Sequence, residues 1–120
     1  MTIMNNEGST NSMDLSTPIT KVLAIGQFTE EAMNASKRIP VMGKEVPATL
    51  KLYLNGKIEQ WFLKPDMSGP VFILNVANAD EARNLLGALP LGLAGMMDFE
   101  LIPLGPLTPL RLLLTEKLAS

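Results

Sequence analysis

Apolar positions follow a strand period in some stretches of the chain and a helix period in others. Residues 21–28 (KVLAIGQF) are short, apolar and partly β-branched, the pattern of a strand buried on both faces. Gly26 within it marks a place where another backbone can come close or a bulge can form. Thr29 followed by Glu30 and Glu31 predicts a helix start, because a hydroxyl caps free N–H groups and carboxylates suit the positive end of a helix. Pro40 ends that helix, and a second helical piece opens near Glu45 with Pro47 in its first turn. Val46, Leu50, Tyr53 and Leu54, at i, i+4, i+7 and i+8, give the second piece its apolar stripe. Asn55 and Gly56 close it, since both tolerate the left-handed conformation.

Residues 57–64 alternate imperfectly, with Ile58, Gln60 and Phe62 on one expected face and Glu59, Trp61 and Leu63 on the other. Residues 65–70 (PDMSGP) are turn formers. Residues 71–76 (VFILNV) read as a central strand, polar only at Asn75. Asn78 caps the next helix, with Glu81 placed to return to the cap N–H. Ala82, Leu85, Leu86 and Leu89 form its sheet-facing stripe, and Pro90 stops it. An apolar, flexible connector (LGLAGMM) should lead to a short strand over residues 98–102, with Phe99 and Leu101 on one side and Glu100 and Ile102 on the other.

The order β-α-β-β-α-β is the split βαβ arrangement of ferredoxin-like folds. It predicts an α+β domain with a four-stranded antiparallel sheet and both helices on one face. The other face, apolar in strands such as VFILNV, is expected to meet the same face of a second copy. Two sheets meeting so form a dimeric α/β barrel around an enclosed cavity. The domain should span residues 19–104, between a mobile tail over residues 1–18 and a Pro/Leu-rich arm over residues 105–120 that lies on a partner subunit.

Composition sharpens this reading. Hydrophobic residues make up 47% of the 120-residue chain and charged residues only 18%, which favours a surface partly buried by another subunit. Ten basic and twelve acidic residues leave no field for nucleic acid. No apolar run is long enough for a bilayer and the tail does not resemble a secretory signal, so a soluble cytoplasmic protein is expected. There is no cysteine and no histidine, which removes thiolate chemistry, the ordinary Ser-His-Asp triad and imidazole ligands for zinc or haem. Carboxylates, Lys, Tyr, amides or bound water must carry any reaction.

The run NADEARNLLGALPL, followed after a short connector by MDFELIPL, resembles the C-terminal half of the muconolactone isomerase family of dimeric α/β barrels. There a helix ending in Leu-Leu-x-x-Leu-Pro-Leu leads into a last strand of the form apolar-acidic-apolar and then x-Pro-Leu. The matching positions are Leu85, Leu86, Leu89, Pro90 and Leu91, then Phe99, Glu100, Leu101, Pro103 and Leu104. Element order extends the resemblance over residues 21–104, and the specific pattern lies in the second half. The resemblance implies a small cytoplasmic enzyme, free of metal and organic cofactor, that moves a proton within an unsaturated lactone, and a homo-oligomer built from dimers. Two features differ from it: Pro40 and Pro47 interrupt the first helix, and histidine is missing. The matched positions are packing positions, so no catalytic residue transfers with them.

Shifting a double bond beside a carbonyl needs a base, an acid and donors for the developing oxyanion. Glu100 is the first candidate base, because Phe99 and Leu101 facing the helices turn it toward the dimer cavity; its plain alternative is a solvated or ion-paired edge residue. Glu59 is the second, expected on one face with Trp61, which could cover a flat ring and donate its indole N–H. Tyr53, Gln27 and Asn75 could bind substrate or donate to an oxyanion, each with a packing or satisfied-amide role as the alternative. Two functions therefore compete. One is a cofactor-independent enzyme performing isomerisation or related proton transfer on a small, mostly apolar unsaturated or cyclic carbonyl compound. The other is a non-catalytic ligand-binding or assembly protein on the same dimeric barrel.

Overall fold

Strand β1 (Lys21–Phe28) runs through the middle of a sheet ordered β2-β3-β1-β4, flanked by β3 (Pro70–Leu74) and β4 (Met97–Leu104), with β2 (Ile58–Leu63) on the far side of β3. All three pairings are antiparallel. The structure is a computed structural model and describes residues 17–107. Apart from residues 17–18 and 105–107, the expected tail and C-terminal arm lie outside the described residues. Helices α1 (Ala35–Leu54), α2 (Ala79–Gly87) and α3 (Pro90–Leu93) complete an α+β architecture compatible with a ferredoxin-like fold.

Alternation along β1 sends Val22, Ala24 and Gly26 into the core and leaves Leu23 and Ile25 on the face without helices. The register continues both sets: Leu23 stands between Ile73 and Ile102, and Ile25 between Val71 and Glu100. Val22, Ile58 and Leu74 are the largest fully buried side chains, each contributing about 1.5–3 kcal/mol relative to exposure in water. Phe72 and Phe99 meet tilted, 5.9 Å between ring centroids. The α2 stripe packs as its period predicts, with Ala82, Leu86 and Leu89 buried and Leu85 against them. Asn78 caps that helix through Glu81 N–H at 2.7 Å; the Glu81 carboxylate returns to the Ala77 N–H, one residue before the cap.

Helix α1 corrects the expected break. It is one helix of 20 residues with Pro40 and Pro47 both inside. Each proline forgoes one backbone bond and crowds the carbonyl four residues back, and both lie at exposed positions of the helix. The start also moves. Glu30–Met33 is a single 3-10 turn, Thr29 donates its hydroxyl to Gly95 O at 2.7 Å, and Asn34 caps α1 through the N–H groups of Ser36 and Lys37. The buried stripe is corrected too. Glu45 is buried, Val41, Met42, Ala48 and Leu52 pack on core residues, and Val46, Leu50 and Leu54 are exposed.

The segment after α2 is not a loose connector. Pro90 opens α3 at its first turn, where a missing N–H costs nothing, and Leu91, Met96 and Met97 join Ala32 in a second apolar cluster. Strand β4 is longer than expected and contains Pro103, which an edge strand tolerates. At the other end of β1, Gly26 allows the close approach its sequence suggested. A side chain at Gly69 would run into the Gly26 carbonyl oxygen, and Phe28 N–H bonds Ser68 O at 2.8 Å, so the β2–β3 turn lies on β1.

Candidate functional site

A bulge in β2 decides which side chains can meet. The register slips between Ile58 and Gln60, so two β2 residues stand against one on β3. From there Trp61 pairs with Phe72 on the helix side and Phe62 with Val71 on the open side. This corrects the expected faces: Ile58, Trp61 and Leu63 look toward the helices, and Glu59 does not share a face with Trp61. Trp61 instead stacks on Tyr53 of α1, ring centroids 4.3 Å apart and nearly parallel. Half-exposed at 39% and 40%, the pair forms a wall at the sheet edge.

The other predicted site residues lie elsewhere. Glu59 is bound to Lys21 Nζ at 2.8 Å, and the same ammonium donates to Asn75 Oδ1 at 2.7 Å. The Asn75 amide also donates to Gly56 O at 2.7 Å, holding the turn before β2, so Asn75 has the satisfied-amide role. Gln27 accepts from Lys64 Nζ at 3.3 Å at the opposite end of the open face. Glu100 is exposed on that face, opposite Ile25. Because β2 and β4 are the two edges of the sheet, Glu59 and Glu100 are separated by three strand spacings, roughly 14 Å. The six residues thus fall on two sides of the sheet, and within one chain the two carboxylates do not form one site.

Between α1 and the sheet, next to the Tyr53–Trp61 wall, lies a cleft of about 500 Å³. It is lined by aliphatic, aromatic and methionine side chains and by two polar ones, Glu45 and Thr49. Glu45 is the one charged side chain among the described residues that is buried, at 8% exposure. Oε1 accepts the Leu91 N–H at 2.9 Å and Oε2 accepts the Thr49 hydroxyl at 3.1 Å. The first bond satisfies a free donor of α3, and the second comes from the next turn of the same helix face. A carboxylate offers about four acceptor positions, so capacity remains for a ligand.

Sequence reasoning passed over Glu45, yet a signal existed. Val41, Ala48 and Leu52 stand at i, i+7 and i+11, and Glu45 fills i+4 of the same stripe. A larger groove of about 660 Å³ between α1 and α2 is bordered by exposed Lys51, Glu81 and Asn84 and holds no buried titratable group. Among the described residues no three potential metal-ligating side chains come together, and no helix is long and apolar enough to cross a membrane. Comparison with known proteins finds no matching family model and no matching curated protein.

Proposed function

We propose that this chain is a cofactor-independent enzyme that transfers a proton on a small, mostly apolar unsaturated carbonyl compound, with the helix-side cleft as its site and Glu45 as its base. The observation that carries this is a carboxylate buried in an otherwise apolar cleft, where it is shielded from bulk water and close to any ligand the cleft admits. In such a reaction Glu45 takes a proton from the carbon between a carbonyl and a double bond, the electron pair passes to the carbonyl oxygen as an enolate, and the same proton returns two carbons further along. The double bond comes into conjugation and the atoms balance. The Trp61 indole N–H is the side-chain donor at hand for the enolate oxygen, since the Thr49 hydroxyl already donates to Glu45. This is the reaction type that the muconolactone isomerase-like pattern of residues 85–104 implies.

The dimeric barrel belongs to the same proposal. Leu23, Ile25, Val71, Ile73 and Ile102 form an apolar strip on the helix-free face, half-buried by their neighbours and uncovered by any described element. A second copy of that strip is its simplest cover, with Glu100 then inside the interface. A non-catalytic binding protein is the second reading, favoured by the fact that both Glu45 oxygens already hold internal bonds.

The test follows a β,γ-unsaturated five-membered lactone by the rise in ultraviolet absorbance as it conjugates. Turnover that is lost in Glu45→Gln and kept in Glu100→Gln supports the helix-side site. The reverse moves the chemistry to the open face, and no turnover in the unaltered chain favours the binding protein.

A further inference from the structure

The chain has four Phe, one Tyr and one Trp, and their distribution is uneven. Phe28, Trp61 and Phe72 line the helix-side cleft, while Tyr53 stacks on Trp61. The cleft volume of about 500 Å³ lies within the range of small-ligand sites. Met42 and Met97 complete parts of the lining with side chains that adjust to irregular shapes and make favourable contacts with rings. Stacking prefers flat partners, because a ring face held against another ring keeps contact over its whole area and an offset arrangement suits both quadrupoles. The Trp61 ring is held in place by Tyr53, so a ligand does not have to order it.

We infer that the cleft selects planar, conjugated rings over puckered ones of the same size, and that Trp61 is the residue that makes the distinction. The inference rests on the cleft being the ligand site, and does not depend on Glu45 acting as a base. Placement of Trp61 on the helix side, which the β2 bulge produces, is what allows it.

The probes are 2-naphthol and its saturated counterpart decahydro-2-naphthol, titrated into the full chain. Trp61 is the chain's one tryptophan, so its indole N–H gives a single side-chain NMR signal that reports directly on the cleft. The expected result is a shift of that signal on adding 2-naphthol, and roughly tenfold weaker binding of the puckered ring. Trp61→Leu should reduce the preference to below about threefold, while Trp61→Phe, which keeps a flat ring, should retain most of it. Equal affinity for the two probes, or 2-naphthol binding with the indole signal unmoved, overturns the inference. Ring preference without lactone turnover leaves the inference standing and removes the enzyme. Turnover without ring preference does the opposite.

Discussion

Replacing Glu45 by alanine removes the acceptor for the Leu91 N–H, the acceptor for the Thr49 hydroxyl, and the side-chain volume between α1 and the sheet. Leu91 is itself buried, so its N–H is left without a partner, at a cost of about 1–3 kcal/mol. Loss of the Thr49 bond adds about 1 kcal/mol, since that hydroxyl can turn to other acceptors. Together the change comes to about 3 kcal/mol, a fall in Tm of roughly 12–24 °C for a domain of this size. Glutamine at the same position keeps a carbonyl oxygen for Leu91 and an amide that can donate to Thr49, so Glu45→Gln should cost only about 1 kcal/mol, or roughly 4–8 °C. Circular dichroism melts of the three proteins at one pH provide the comparison. Equal melting of the alanine and glutamine variants, or an alanine variant within 2 °C or so of the parent, would refute the claim that this carboxylate ties α1 to α3.

Three further outcomes are expected. Gly69→Ala would push a methyl group into the Gly26 carbonyl and should destabilise by about 1–3 kcal/mol in urea unfolding, whereas alanine at Gly87, which faces open space, should not destabilise. The Ser68 hydroxyl and then its N–H hold the Asp66 carboxyl below its ordinary value, so the ionised turn is favoured above about pH 4 and that contribution fades as acid passes through the lowered pKa. A carboxyl NMR titration should show this, with Ser68→Ala moving the midpoint up. Ile73→Lys places a charge at the centre of the open sheet face, and should convert the proposed dimer to monomer in sedimentation while leaving the far-ultraviolet spectrum unchanged; a parent already monomeric at tens of micromolar would reject the barrel.

The parts of the fold that were legible are those where one periodicity had no rival. In α2, Ala82, Leu85, Leu86 and Leu89 fit a single helical stripe, with Asn78 at its start. In α1 two stripes compete, and the more hydrophobic one, Val46, Leu50 and Leu54, is the exposed one. Hydropathy favoured the wrong face because the inward stripe contains Glu45 and Thr49. Alternation failed in β2 for a different reason: one extra residue at the bulge reversed every later side chain, and nothing in IEQWFL announces it.

Local chemistry along the chain determined the order of the four strands, the Asn78 cap and the turn at Asn55-Gly56. Only tertiary structure decided which carboxylate is sheltered and which aromatic residues gather, because burial depends on what a distant segment brings alongside. Glu45 is buried since α3, 46 positions further on, presents the Leu91 N–H to it.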